Sequence, residues 1–519
     1  MFMLIPLILC SAVDSARILG VFPMPSISHQ VVFRALTLEL AKRGHELVVI
    51  TPNAALPKDR PKDNITEIDT SKAYIQVKQF FNDSAKTILK RGVIADVDAM
   101  TSDEMTRTIM IIVEELLENK EVDELLKDKT QKFDLVIAEG FMNYHFIFAK
   151  IYEAPLIVFS SFYGYPEIYE MIGAVARHPI LYPHTMRGKL QTVSFFDKIK
   201  AIHNEYRLRK MFENLERLES ELVNTKFGQD ALTIDELKGL PSMVFLNSFH
   251  IFDNNRPVPP NVVYLGALHL IPVKELPQDL KQYLDNSKHG VVYVSLETNV
   301  HPSLMEKDFL DAFLNAFRQI PYDILWKFDG DNLENVPDNV RIQKWFPQRD
   351  LLVHPKIVLF VTQGGLQSTD EAIDAGVPLV GIPILGDQWF NVHRYEKLGI
   401  GVELDSYTLT ADDIVKGVNT VAGDNRFRQN IKKLKSIMYD TPQTPLERAV
   451  WWTEYVLRHK GAQHLKSPAA NMSYAEYFML DFVLGLLGVF IVVLIALVFI
   501  IKFVVNLFKS DKGSKLKLN

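Results

Sequence analysis

Apolar runs of strand length alternate with helix-length stretches along most of this 519-residue chain. That order argues for parallel strands joined by helical crossovers. Two segments open with the same unit. In the first, the strand Ile18 to Phe22 runs through a loop holding Pro23, Pro25 and Ser26 into a helix from about Gln30 to Arg43. Gly44 ends that helix, and a strand from Glu46 to Thr51 follows. In the second, Gly290 precedes the strand Val291 to Leu296, then comes a loop and a helix from about Lys307 to Gln319. Each is the opening unit of a Rossmann-like domain, so the expected class is α/β with two such domains. Between them lies Asp253-Asn254-Asn255-Arg256-Pro257-Val258-Pro259-Pro260, a linker candidate because proline removes donors and restricts the backbone. The expected boundaries are 17–260 and 261–450, with a closing helix and juxtamembrane segment over 451–480.

The two ends suggest a compartment. Met1 to Cys10 are almost wholly apolar and are followed by Ala12 and Ala16, which reads as a signal peptide over 1–16. Phe482 to Ile501 is an uninterrupted uncharged run, long enough to cross a bilayer as a helix. Past it Lys502, Lys509, Lys512, Lys515 and Lys517 face one acid, Asp511, which predicts a cytosolic tail over 502–519. The expected topology is single-pass type I, with the bulk of the chain lumenal. Lys515 and Lys517 resemble a dilysine-type signal for return to the endoplasmic reticulum. The only cysteine is Cys10, inside the expected signal peptide, so core burial rather than disulfides must hold the mature protein together. Asn64, Asn82 and Asn471 begin glycosylation sequons. With a net charge of −6 and no basic stripe among aromatics, nucleic acid is excluded as a partner. Asp329-Gly330-Asp331 has the composition of a surface turn, and no Cys/His cluster has metal-ligand spacing, so no metal or cofactor is expected.

One block carries chemistry. It runs from Lys344-Trp345-Phe346-Pro347-Gln348 through Asp350-Leu351-Leu352 and His354-Pro355 to Gln363-Gly364-Gly365, Glu371-Ala372 and Gly386-Asp387-Gln388. Trp345 offers a flat face for a base. Gly364 and Gly365 join an apolar strand, Ile357 to Val361, to a helix from about Leu366 to Ala375. A glycine turn feeding a helix N-terminus presents free N–H groups that suit a diphosphate. Glu371 on that helix can accept from ribose hydroxyls. After the next apolar strand, Val377 to Leu385, Asp387 and Gln388 can bind sugar hydroxyls.

This ordered block resembles the signature of the UDP-glycosyltransferases, membrane-bound animal enzymes that conjugate small lipophilic molecules to a sugar. The resemblance spans about residues 17 to 510 and includes Pro445-Leu446-Glu447-Arg448-Ala449 and Trp451-Trp452 as the family's closing segment. It implies the GT-B architecture, two Rossmann-like domains facing a cleft, with the acceptor on the N-terminal one and the UDP-sugar on the C-terminal one. The aromatic stretch from about Phe162 to Pro183 then belongs to the half that shapes the acceptor pocket. The resemblance adds Thr298, Gln348, Gln363, Gln367 and Ser368 to Trp345, Gly364, Gly365, Glu371, Asp387 and Gln388 as UDP-sugar ligands.

Sugar transfer needs a base for the acceptor hydroxyl. His29, at the junction of the first loop and helix, matches the family's catalytic histidine, and histidine titrates near neutrality. A carboxylate can orient such a base, and the resemblance implies an aspartate for that role at the end of the strand Phe133 to Glu139, where this chain has Glu139. Two further positions depart from the family pattern. Gln363 stands where the family commonly has histidine; the insect branch often carries this glutamine, and that resemblance implies UDP-glucose rather than UDP-glucuronate. Glu297 stands in Ser295-Leu296-Glu297-Thr298-Asn299 where the family has a phosphate-loop glycine. The expected activity is inverting transfer of glucose to a small lipophilic alcohol or phenol, dietary or hormonal, at the endoplasmic reticulum membrane. The alternative is a membrane-anchored binding protein impaired by Glu297. Expected partners are UDP-glucose, the acceptor and the bilayer, with homo-oligomer formation left open.

Overall fold

The computed structural model describes residues 15–56, 64–188, 194–228, 233–296, 302–330 and 333–515, with side chains described as far as residue 507. Most of the expected signal peptide, Glu297, Thr298, Asp331 and Lys517 lie outside the described residues, as does the side chain of Lys515.

Among the described residues the strands form two parallel sheets. The first holds β1 (Arg17–Val21), β2 (Glu46–Thr51), β3 (Ile65–Asp69), β4 (Leu135–Glu139), β5 (Leu156–Ser160), β6 (Pro241–Leu246) and β7 (Val262–Tyr264), in the order β3-β2-β1-β4-β5-β6-β7. The second holds β8 (Val291–Ser295), β9 (Asp323–Lys327), β10 (Val340–Gln343), β11 (Ile357–Thr362), β12 (Leu379–Gly381) and β13 (Gly401–Glu403), in the order β10-β9-β8-β11-β12-β13. Successive strand residues point to opposite faces. In β1, Ile18 joins a core with Val32, Phe33 and Leu36 of the Ile27–Lys42 helix, while Leu19 and Val21 join the core on the other face. In β8, Val292 and Val294 pack on one side, and Val291 and Tyr293 on the other. Both faces of each sheet are therefore covered, as parallel sheets require. Each strand order reverses once, between β1 and β4 and between β8 and β11. A reversal opens a crevice at the carboxyl ends of the strands, where ligands bind in such sheets.

The first sheet continues past the boundary expected at residue 260, because β7 pairs with β6 through Val244–Val262 and Leu246–Tyr264. The proline-rich segment before it is not a solvated linker. Asp253 and Arg256 are 1% and 3% exposed. The Asp253 carboxylate accepts from the hydroxyls of Tyr169 and Tyr264, both at 2.6 Å, and from Arg256 Nε at 3.1–3.2 Å. Arg256 also donates to the carbonyls of Val175 and Ala176, each at 2.7 Å. The segment locks a turn beneath the first sheet. At the far end, the Pro445–Arg458 helix, which starts within the span assigned to the second domain, returns to the first core through Ala449, Val450 and Val456.

A second crossing was invisible in the sequence. Val93 and Ile94, from the first half, lie in the core of the second sheet. Ala95 N–H donates to the Ile384 carbonyl at 2.9 Å, and Arg91 donates to Asp308 at 2.8 Å and to the Ser406 carbonyl at 3.2 Å. Gly92 has φ +87°, and a Cβ there would come within 2.3 Å of the Leu304 carbonyl oxygen. Only glycine fits that close approach.

The segment from Pro468 onward forms a separate unit. Its helix spans Leu480–Lys515, and Leu480–Leu507 is apolar and long enough to cross a membrane. The helix is thus longer at both ends than the apolar run expected over 482–501.

Candidate active site

The two sheet reversals supply the site. The loop after β1 leads into the Ile27–Lys42 helix and places His29 beside the end of β4, where Glu139 stands. His29 Nδ1 donates to Glu139 Oε1 at 2.8 Å, and Glu139 Oε2 accepts from the Met24 N–H at 3.1 Å. The Glu139 side chain is 2% exposed and that of His29 17%. With Nδ1 committed to the carboxylate, the neutral ring carries its lone pair on Nε2. Ring contacts steady it further, since Phe162 lies 5.3 Å from the imidazole, centroid to centroid. Sequence reasoning paired these two residues across 110 positions, and the structure brings them into contact.

His29 opens on a cavity of about 430 Å³. Its apolar wall includes Phe80, Phe81, Met105, Ile109 and Phe141, and its opposite wall is made by Gly365–Gln367 and Leu385–Gln388. The volume lies within the ~300–1,000 Å³ usual for small-molecule sites.

Across this cavity the β11 end forms the expected turn. Gly364 has φ +92°, and a Cβ there would meet Val392 at 2.3 Å. Gly365 precedes the Leu366–Ala375 helix. The Gln363 side chain is fully buried, and neither its oxygen nor its nitrogen has a hydrogen-bond partner. An unsatisfied buried amide costs about 1–3 kcal/mol. Trp345 is 59% exposed, with the Lys327 ammonium 4.6 Å from its ring centroid.

Several expected ligands are occupied within the protein. The Gln348 oxygen accepts from Tyr293 OH at 3.1 Å, and its nitrogen donates to Ser368 Oγ at 3.0 Å and Glu371 Oε2 at 2.7 Å. Gln348 therefore aims Glu371. Burial pushes the Glu371 carboxyl up to about 7, against the lowering effect of the Gln348 bond. The Gln367 amide nitrogen reaches the Ser161 carbonyl of the first half at 3.0 Å. The Gln388 oxygen accepts from the N–H groups of Ile384 and Leu385, both at 2.9 Å, and so shapes the loop carrying Asp387. Burial raises the Asp387 pKa, and the hydrogen bond from Asn391 opposes that shift.

Asn391 is the residue that sequence reasoning missed. Its nitrogen donates to Asp387 Oδ2 at 2.9 Å and to the Gly364 carbonyl at 2.8 Å, while its oxygen accepts from Tyr163 OH at 2.8 Å. One amide thus ties the Asp387 carboxylate to the glycine turn and to the first domain. The signal was present, because a residue four past Asp387 lies on the same helix face. Tyr165 falls in the aromatic stretch that the resemblance gave to the acceptor half; it lines the cavity, and burial pushes its hydroxyl well up, helped by Asp387, Glu167 and Glu139. Nothing in the sequence separates it from its aromatic neighbours.

Asp329 of the Asp-Gly-Asp sequence accepts from Ser303 N–H and Oγ, both at 3.0 Å, and so anchors a turn. Among the described residues, no three His, Cys, Asp or Glu side chains are grouped to hold a metal. Asn64, Asn82 and Asn471 are all exposed.

The family described as UDP-glucoronosyl and UDP-glucosyl transferase matches residues 17–515. The chain belongs to this family. It is similar to the ecdysteroid UDP-glucosyltransferase of Lymantria dispar multicapsid nuclear polyhedrosis virus, 40% identical over 92% of this chain and 94% of that one. It is also similar to UDP-glucosyltransferase 2 of Dactylopius coccus, 32% identical over 99% of this chain and 98% of that one. Among solved structures, the UDP-glucose: anthocyanidin 3-O-glucosyltransferase in complex with UDP matches with TM-score 0.58 at 16% identity, covering 86% of this chain and all of that one. The fold is GT-B, and the protein is a UDP-glycosyltransferase that uses a UDP-sugar donor.

Proposed function

We propose that this enzyme transfers glucose from UDP-glucose to a hydroxyl of a small lipophilic acceptor, with inversion at the anomeric carbon. The observation that carries the reading is the His29–Glu139 pair facing an apolar cavity whose far wall is the Gly365 turn and Asp387. His29 Nε2 takes the acceptor proton while the acceptor oxygen bonds to the anomeric carbon. The bond from that carbon to the diphosphate breaks, and UDP leaves with the electron pair. Glu139 orients the ring and stabilises its cation. The unpartnered Gln363 amide and the Leu366–Ala375 helix N-terminus support a diphosphate position, with Trp345 under the base and Glu371 at the ribose. The Asp387 carboxylate, held by Asn391 on the cavity wall, supports a position for sugar hydroxyls. The names of the viral relatives, together with the aromatic and methionine-rich wall, favour a steroid-like alcohol as acceptor. The paired state of His29 and Glu139 favours an active enzyme over the impaired-binder reading. The Leu480–Leu507 helix supports anchorage in a membrane, which in this reading is that of the endoplasmic reticulum with the catalytic part lumenal.

The test is turnover by the detergent-solubilised full chain with UDP-glucose or UDP-glucuronate, against a hydroxylated steroid and a simple phenol. Glucoside formation with a β-linkage, and faster turnover of the steroid, is the expected result. Glucuronide as the main product, or an α-glycoside, would overturn it.

Glu371 makes donor binding depend on pH. An ionised carboxylate only accepts, and so can take two ribose hydroxyls. Because its pKa stands at about 7, UDP-glucose affinity rises with pH through that value. Calorimetry between about pH 6 and about pH 8 should show roughly a tenfold tightening, which Glu371→Gln removes. A pH-independent affinity in the parent enzyme would show that Glu371 does not meet the donor.

A further inference from the structure

The Phe195–Phe227 helix is the longest in the catalytic part, and it has two unlike halves. From Glu205 onward one face is buried, through Leu208, Met211, Phe212, Leu215 and Val223. Before that point no residue of the helix is buried. This free end begins with a complete capping box, Ser194 with Asp197, so its first turn is held by its own backbone and side chains. It is nevertheless rich in large apolar groups. Phe195, Phe196, Ile199, Ile202 and Tyr206 are each 50% to 78% exposed. Positions 195, 199, 202 and 206 follow the i, i+4, i+7, i+11 spacing of one helix face. Basic residues flank the stripe at Lys198 and Lys200, beside its first turns, whereas Arg209 and Lys210 just beyond it are paired with Glu213 at 2.9 and 2.6 Å.

We infer that the exposed apolar stripe of residues 195–206 docks on the surface of a lipid bilayer, with its aromatic and isoleucine side chains among the upper acyl chains and its lysines at the headgroups. An amphipathic helix with bulky apolar groups on one face and basic flanks is the form that lies in a membrane interface. The inference rests on the bilayer anchorage proposed above, which keeps a membrane within reach of the catalytic part. Charge distinguishes this occupant from a second copy of the chain. A two-fold contact centred on the stripe would bring equivalent lysine flanks together, whereas phosphate headgroups complement them. The stripe is also coupled to the acceptor cavity. Arg207, the residue just past it, bonds to Asp98 and to Thr101 Oγ1, the latter at 2.7 Å, in the short Val97–Met100 helix and its C-cap, immediately before the Asp103–Glu118 helix. That helix supplies Met105, Thr108, Ile109 and Ile112 to the cavity wall. Docking would therefore set the cavity wall near the phase in which a lipophilic acceptor is dissolved.

The test uses the full chain in vesicles of phosphatidylcholine and phosphatidylserine. Cys10 is the only cysteine, so a Cys10→Ser background accepts single labels. An environment-sensitive fluorophore is placed by Ile199→Cys, by Lys120→Cys as an exposed control, or by Leu494→Cys in the apolar helix. Shallow spin-labelled lipids should quench position 199 strongly, 494 with deeper labels, and 120 not at all. A label at 199 that behaves like 120 overturns the docking, even where 494 is quenched and the anchorage stands. Loss of quenching at both 199 and 494 overturns the anchorage and the docking together. Energy transfer between copies at 199 without lipid quenching would assign the stripe to self-association and overturn the inference. As a second readout, Phe195→Ser with Ile199→Ser and Ile202→Ser should raise KM for a vesicle-dissolved acceptor and leave that for a water-soluble phenol unchanged. Equal KM values for both acceptors in the parent and the variant would count against docking.

Discussion

Replacing His29 by alanine lowers turnover of an aliphatic alcohol by about 10²–10⁴-fold, the range usual for a positioned acid–base group. UDP affinity stays close to that of the parent, because His29 lies in the loop after β1 and the expected nucleotide residues belong to the second sheet. A strongly acidic phenol recovers part of the loss, since its proton leaves without a base. Glu139→Gln tests the partner. It keeps the reach to Nδ1 at 2.8 Å but removes the charge that stabilises the imidazolium. Its turnover should fall between those of the parent and His29→Ala, with a shifted pH profile. Steady-state kinetics with alcohol and phenol acceptors provide the check. Near-parent turnover of the alcohol by His29→Ala would remove His29 from the mechanism.

Asp253→Ala is expected to have the largest effect on stability. The substitution leaves Arg256 buried without its counter-ion, and the hydroxyls of Tyr169 and Tyr264 without their acceptor. Removing one member of a buried pair costs about 3–5 kcal/mol. The Arg256 guanidinium also lies 4.1 Å from the Tyr169 ring centroid, so the disturbance spreads to the Pro166–Met171 helix. Hydrogen exchange in this helix should quicken, together with a lower denaturation midpoint of the catalytic part. Replacing the pair together, Asp253→Leu with Arg256→Met, should return much of the loss, because no charge then remains buried. An unchanged midpoint for Asp253→Ala would mean that the four-residue knot contributes nothing to holding the turn.

The two substitutions differ in how far the sequence anticipated them. His29 and Glu139 were legible through the family resemblance, which picks out the loop-to-helix junction after β1 and the end of β4, and neighbouring parallel strands end side by side. The glycine turn at Gly364 was legible for a local reason. A strand, two glycines and a helix leave few backbone choices, and the observed φ of +92° at Gly364 is one that glycine alone takes readily. Asp253 was misread for the opposite reason. Proline-rich composition signals an irregular backbone, but it does not tell whether that backbone is solvated or packed.

Local features of the chain, meaning hydrophobic period, turn residues and ordered motif spacing, determined the element types, the two-sheet architecture, the glycine turn, the apolar C-terminal helix and the family. These follow from interactions among residues a few positions apart, which sequence displays directly. Only the tertiary structure decided which polar groups are free for ligand and which are spent inside the protein. The amides of Gln348, Gln367 and Gln388 all stand in the motif, yet they bond to Glu371, Ser161 and the loop at Ile384–Leu385, whereas Gln363 keeps both atoms unpaired. Residues 91–95, with no motif at all, cross to the second core and bond to Ile384 and Asp308. A hydrogen bond needs its partner within about 3 Å, and partners hundreds of residues apart meet only when packing has fixed the backbone.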